Sequence, residues 1–119
     1  MILIIAGSRN FNDFDFLETE VLKFLKKYKE EKDPLEIVSG NANGADKLGE
    51  KFAKKYGLKI HYKPANWKEY GKSAGMIRNK EMVDMSTHCI CFWDGKSPGT
   101  KNMIDIAGKE GLIVSVIKI

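Results

Sequence analysis

The sequence predicts an α/β domain: a five-stranded parallel sheet of order 3-2-1-4-5 with helices on both faces. Three observations carry that expectation. Five short apolar runs alternate with helix-period segments from one end of the chain to the other. The first run is apolar and β-branched without alternation, the pattern of a strand buried on both faces. The connections that follow the first, second and fourth runs each carry glycine. Strands that alternate with helices imply right-handed crossovers and a parallel sheet.

Met1–Ala6 reads as strand one, followed by the turn Gly7-Ser8-Arg9-Asn10. Phe14, Leu17, Val21, Phe24, Leu25 and Tyr28 recur at three- and four-residue spacing on a first helix. Asp33-Pro34 is expected to stop it, because the residue before proline avoids the helical region. Leu35–Ser39 reads as strand two and Gly40–Gly44 as a tight loop. A second helix carries Leu48, Phe52, Ala53 and Tyr56 on one face and ends at Gly57. Leu58–Lys63 alternates as an edge strand does. A polar connection, Pro64–Lys72, leads to a third helix through Ala74, Ile77, Met82 and Met85. His88–Trp93 is strand four, Asp94–Thr100 a loop, and Met103, Ile104 and Ala107 line a fourth helix. Gly111 caps that helix and Leu112–Ile117 forms strand five.

The 119 residues make one domain, 1–119, with no repeat and no linker. Net charge is +4, from 20 basic and 16 acidic residues. The lysines of 23–32, with Glu30 and Glu31, and those of 51–59, just after Glu50, read as solvated helix faces. Duplex DNA binding calls for a stronger, one-sided basic patch, whereas mild basicity suits a small anionic ligand. Cys89 and Cys91 flank one residue of an apolar run and read as buried thiols in a reducing compartment. No metal-ligand spacing is present, and neither a metal nor a cofactor is expected. The apolar start is too short for a signal peptide and no stretch reaches the length of a membrane span. The expectation is a cytoplasmic protein without membrane contact.

In parallel sheets the ligand lies beyond the carboxyl ends of the strands, where the strand order reverses. With order 3-2-1-4-5, the loops after strands one, two and four converge there, and these are the three glycine-bearing loops. In the loop after strand two, Ser39, Gly40, Asn43, Gly44 and Asp46 stand out. Its glycines allow sharp turns and close approach, and the first helical turn offers free amides. Asp46 argues against a phosphate at that spot and for a ribose hydroxyl. Alternatively, Asn43 is a helix N-cap and Asp46 its capping-box partner.

In the loop after strand four, Asp94, Gly99 and Thr100 precede a helix with no acid in its first positions, flanked by Lys96 and Lys101. That suits a phosphate; alternatively Thr100 only caps the helix. Gly7, Ser8 and Arg9 follow strand one, where small residues admit a ligand and an arginine can pair with phosphate. Neither GxGxxG nor GxxxxGK[ST] occurs. Trp67, Tyr70 and Trp93 either stack on a base or close the edge of the core. His61 and His88 read as structural.

Taken together, SGNANGAD, PANW with Tyr70-Gly71, AGMIRNKEM and CFWDGKSPGT resemble the YspA-like, cpYpsA-related branch of the SLOG superfamily. The corresponding family segments look like GGARGAD, ADW, AGxxRNxxM and FWDGxSxGT. The resemblance implies a Rossmann-like three-layer sandwich and a nucleotide or nucleotide-derived ligand; relatives include the Lonely Guy phosphoribohydrolases and DprA-like DNA-processing proteins. It places Gly40, Gly44 and Asp46 on the first glycine motif, Gly99 and Thr100 on the phosphate turn, and Arg78-Asn79 on the helix arginine motif that contacts ligand in Lonely Guy enzymes. It also implies a homo-oligomer, with a homodimer expected. The chain departs from the pattern at Asn41 and Asn43, where the family has an arginine and a glycine. It departs again after Thr100, where Lonely Guy enzymes resemble PGGxGTxxE and this chain has Lys101, Asn102 and Met103.

Three functions follow from these readings. The first is a binding protein, a sensor or a sponge that sequesters a signalling nucleotide. The second is a nucleotide hydrolase of the phosphoribohydrolase type, for which Asp46 and Asp94 are the remaining carboxylates. The third is single-stranded DNA binding, which the balanced charge disfavours.

Overall fold

The computed structural model describes all 119 residues. Its elements are β1 (Ile2–Gly7), α1 (Phe14–Tyr28), β2 (Glu36–Ser39), α2 (Ala45–Lys55), β3 (Lys59–Tyr62), α3 (Trp67–Tyr70), α4 (Ala74–Met85), β4 (His88–Trp93), α5 (Pro98–Lys109) and β5 (Ile113–Lys118). A 3-10 turn, Gly71–Ser73, joins α3 to α4. The strands form one sheet in the order β3-β2-β1-β4-β5, every pair parallel. The fold is Rossmann-like, in the strand order expected from the sequence.

β1 and β4 share the central pairing, Leu3 with His88 through Gly7 with Phe92. Both are buried along their middle residues, which is why their sequences run apolar without alternation. Side-chain parity then divides the core. Leu3, Ile5, Ile37, Ile90 and Phe92 pack under α1 and α2 with Leu17, Val21, Phe24 and Phe52. Ile4, Ala6, Val38, Cys89 and Cys91 face α4 and α5 with Met82, Val83, Met103 and Ala107. Helix α2 lies so close on β1 that a Cβ at Gly49 would stand 2.9 Å from two Ile5 atoms. That contact sets where the N-terminus of α2 meets the end of β1. Cys89 and Cys91 are free thiols, both buried, with their sulfurs 3.5 Å apart.

Two connections differ from the sequence expectation. Helix α1 ends at Tyr28, ahead of Asp33-Pro34, because Lys29 turns extended (φ −92°, ψ 127°). Asp33 instead accepts a hydrogen bond from the N-terminal ammonium at 2.8 Å, beside the start of β1. The polar connection after β3 contains the short helix α3, capped by the Asn66 side chain, which accepts from the Glu69 amide at 3.1 Å. None of the α3 residues is buried, so its sequence carries no apolar periodicity to reveal it. No helix is long and apolar enough to cross a membrane.

Candidate functional site

The site begins where β1 stops. Ser8 is buried and ties three connections together. Its amide donates to Phe92 O at 3.0 Å, its carbonyl accepts from the Ala45 amide at 3.3 Å, and its hydroxyl accepts from the Asp94 amide at 3.2 Å. Gly7 and Gly44 make this meeting sterically feasible. A Cβ on Gly7 would fall 2.3 Å from Phe92 O, and one on Gly44 would fall 2.2 Å from Ser8 O. Gly44 also has φ +81°, a conformation L-residues avoid.

The loop after β2 is held from within. Ser39 is buried, donates to Glu50 Oε2 at 2.6 Å and accepts from the Asn41 amide at 3.0 Å. Asn41 takes φ 60°, which asparagine tolerates. The capping-box alternative for Asn43 and Asp46 does not hold. The N-cap of α2 is Gly44 and no side chain caps it. Asn43 is exposed, and Asp46 accepts instead from the Ala42 amide at 3.2 Å, bending the loop back over the helix start.

Asp46 is 5% exposed, and burial pushes its carboxyl up to about 6. Glu50, one turn further along α2, raises it too, while the Ala42 amide, Arg78 and Arg9 oppose the rise. Arg78 reaches across from α4. Its Nη1 donates to Gly40 O at 2.6 Å and its Nε to Asn79 Oδ1 at 3.1 Å. Burial lowers the guanidinium from its usual value and Asp46 counters that; an arginine stays charged regardless. Asn79 then passes the connection on, with Nδ2 donating to Gly99 O at 3.1 Å and to Asn102 Oδ1 at 3.0 Å.

In the loop after β4, Asp94 Oδ1 accepts from the Ser97 and Lys96 amides, both at 2.8 Å. Those bonds hold its carboxyl below the usual range. Trp93 donates from Nε1 to Ser97 O at 3.1 Å. Helix α5 starts at Pro98, a residue suited to the first turn because it lacks an amide hydrogen. Its N-cap is Ser97, so the reading of Thr100 as the cap does not hold. Thr100 sits within the first turn, buried, with its hydroxyl 3.2 Å from that of Ser97. No acid lies in that turn.

A cavity of about 700 Å³ opens at the carboxyl ends of β1 and β4, between α4 and the start of α5. Gly7, Arg9, Asp46, Arg78, Asn79, Gly99 and Thr100 line it. Seven other loop residues singled out in the sequence do not. Ser8, Ser39, Gly40 and Gly44 shape the loops from behind, Trp93 and Asp94 organise the turn before α5, and Asn43 points to solvent. Four cations, Arg9, Lys72, Arg78 and Lys101, face two acids, Asp46 and Asp105. Lys101 is already bound to Asp105 at 2.7 Å, and Arg78 donates to Gly40 O and Asn79, which leaves Arg9 and Lys72 as the cations of the wall engaged in neither kind of bond.

Sequence reasoning missed Lys72, Met76 and Asn102, all on the cavity wall, and the buried Glu50 behind it. Glu50 had a usable signal, since it stands four residues after Asp46 on the same helix face. Asn102 stands three residues after Gly99 on the first turn of α5. Lys72 and Met76 had none, because nothing local shows that the end of the polar connection folds over the crevice. Of the three aromatics considered for stacking, Trp67 lines the cavity. It is 50% exposed, and the Arg9 guanidinium lies 5.9 Å from its ring centroid.

The family model described as "YspA, cpYpsA-related SLOG family" matches residues 1–70. That stretch includes the loops after β1 and β2, whereas Arg78, Asn79, Gly99 and Thr100 lie beyond it. The chain is similar to the Gene 61 protein of Mycobacterium phage D29, at 35% identity over 86 residues, covering 67% of this chain and 69% of the phage protein. No solved structure matches. On the family match and this fold together, the chain belongs to the YspA, cpYpsA-related SLOG family, a nucleotide-related group with Rossmann-like architecture.

Proposed function

We propose that this protein binds a nucleotide or nucleotide-derived ligand in the cavity at the carboxyl ends of β1 and β4. The reading rests above all on the convergence of Arg9, Asp46, Arg78 and the Gly99–Thr100 turn on one cavity of about 700 Å³. That volume suits a small ligand with base, sugar and phosphate. The acid-free first turn of α5 offers amides and a positive dipole end to a phosphate. The buried Asp46 offers an acceptor to a ribose hydroxyl, and Trp67, on the open rim, offers an aromatic face to a base. Holding the ligand intact makes the protein a sensor or a sponge for a signalling nucleotide, working in the cytoplasm.

A second reading, hydrolysis of the ligand, is favoured by one observation. Asp46 is a carboxyl pushed up to about 6 inside the cavity, where it can carry a proton near neutral pH. Asp94 does not support it, because that carboxylate is committed to loop amides.

The deciding experiment incubates the purified protein with a panel of nucleoside monophosphates, ADP-ribose and its cyclic isomers, then assays bound and free fractions by mass spectrometry. One species enriched intact on the protein supports the sensor or sponge. Release of a free base or sugar phosphate that Asp46→Asn abolishes supports the hydrolase. Neither retention nor turnover of any member overturns the nucleotide assignment.

A further inference from the structure

The two edges of the sheet are built differently. β3 is a short edge of four residues that begins with Lys59 and is followed by Lys63, with His61 held by Glu36. Short, charged edges resist pairing with other strands. β5 is longer, Ile113–Lys118, and Lys118 is its single charge. Ile113, Val116 and, just beyond it, Ile119 are large apolar residues exposed at 43%, 44% and 39%.

The backbone of β5 is half used. The Ile113 amide donates to Thr87 O and the Ile119 amide to Trp93 O, so odd-numbered residues turn their amides and carbonyls toward β4. In a parallel pair, alternate residues point the other way. Val114, Val116 and Lys118 therefore direct both backbone groups outward from the sheet.

We propose that the β5 edge is a self-association surface, taking the β5 of a second copy antiparallel to form a continuous ten-stranded sheet. One register satisfies both the backbone and the side chains. With Val116 opposite Val116 about a two-fold axis, Val114 and Lys118 pair in both directions, and all six outward backbone groups of each strand gain partners. The same register sets Ile113 opposite Ile119 and Val116 opposite itself. Each large apolar side chain exposed on this edge then meets another from the partner copy. Sliding by two residues breaks at least one of these matches. Sliding by one also turns the outward groups of one strand against the committed groups of the other. The two copies of Lys118 stand apart, each across from Val114, so they do not repel at close range.

Helix α5 is compatible with this seam. Its Asn102 and Glu110 side is taken by α4, through the bond from Asn79 and the ion pair of Glu110 with Lys80. Ile104 and Gly108, four residues apart, lie on the opposite side, toward the β5 edge, and nothing stands within 4 Å of a Cβ built on Gly108. With strands spaced by about 4.8 Å, the two α5 helices flank the seam about 10 Å apart, the distance of packed helices. Their contact extends the buried area beyond the strand edge, toward what a stable dimer requires. The two cavities point to opposite ends of the joined sheet, so each is complete within one copy.

The test combines sedimentation across protein concentrations with residue-resolved amide exchange and the variant Val116→Pro. Proline at 116 removes an outward amide that makes no bond within the chain, so the fold tolerates it while the seam does not. Expected are a concentration-dependent dimer, slow exchange at the Val114, Val116 and Lys118 amides in the dimer that becomes fast on dilution, and at least tenfold weaker dimerisation in Val116→Pro. If that variant fails to fold, exchange in the unaltered protein decides alone. A monomer at every concentration with those amides exchanging fast overturns the proposal. So does a dimer in which they still exchange fast, or one that a folded Val116→Pro leaves intact.

Discussion

Replacing Asp46 by asparagine is expected to make the protein more stable at pH 8 and to weaken its hold on ligand. Burial raises the Asp46 carboxyl from an ordinary 3.8 to about 6, so the fold prefers it neutral. Above that pH the carboxylate is ionised inside the fold, and a shift of about two units corresponds to about 3 kcal/mol of lost stability at 1.36 kcal/mol per unit. The native state binds the extra proton between the two values, so the Asp46 contribution falls as pH rises through about 6. Asparagine keeps an oxygen to accept the Ala42 amide and carries no charge to desolvate.

The assay is urea unfolding of both proteins at pH 8 and at pH 4.5. At pH 8 the variant gains up to about 3 kcal/mol, a midpoint shift of about 1–2 M urea. At pH 4.5, where Asp46 is largely protonated, the two curves draw together. Comparing the pair removes the contribution of His88, which burial pushes below its usual value and which loses stability as pH falls. A variant that is less stable than the parent at pH 8, or shifted equally at both pH values, refutes the reasoning. Ligand retention moves the other way, by about tenfold, because a charge-assisted hydrogen bond becomes a neutral one.

Four further outcomes follow from the same contacts. Gly44→Ala costs about 2–5 kcal/mol, combining backbone strain with a Cβ driven to 2.2 Å from Ser8 O, whereas Gly57→Ala, at φ +66° in open space, costs about 1–2 kcal/mol; thermal melts compare them. Ser39→Ala leaves the buried Glu50 without its hydroxyl donor and costs about 1–3 kcal/mol by chemical denaturation. Arg78→Lys loses the paired bonds to Gly40 O and Asn79 and lowers nucleotide retention at least tenfold, read by equilibrium dialysis. In acid, below about pH 4, the carboxylates held low at Glu18, Asp33, Glu36 and Asp94 become protonated, and the melting temperature falls again.

The sheet was legible because parallel strands buried on both faces leave unbroken apolar runs, as in Ile2–Ala6 and Cys89–Phe92, and helices between them leave period-3.6 faces. Its order is the common one for such sheets, and with it the glycine-bearing loops meet at one reversal. The residues that line the cavity were half legible. Arg9, Asp46 and Thr100 sit in or just after loops marked by glycine, and Arg78 was reached through the resemblance alone. Ser8, Ser39 and Asp94 stood out for the same reason as the lining residues, yet their side chains turn inward to bind backbone or Glu50. Sequence shows that a small polar residue follows a strand; it does not show which way its rotamer turns. Lys72 was hidden by the opposite problem, since α3 and the turn after it bury nothing and so leave no periodic trace.

The dipeptide Arg78-Asn79 spans the mouth of the crevice from the loop after β2 to the start of α5. Mechanically it acts as a crossbar: the two walls come from strands on opposite sides of β1, and α4 sets their separation. The gape of the cavity is therefore governed by how α4 is seated, which depends on the eleven-residue stretch 63–73 that leads into it. An insertion or deletion there, remote from both glycine loops in sequence, would shift both walls at once and alter which ligands fit.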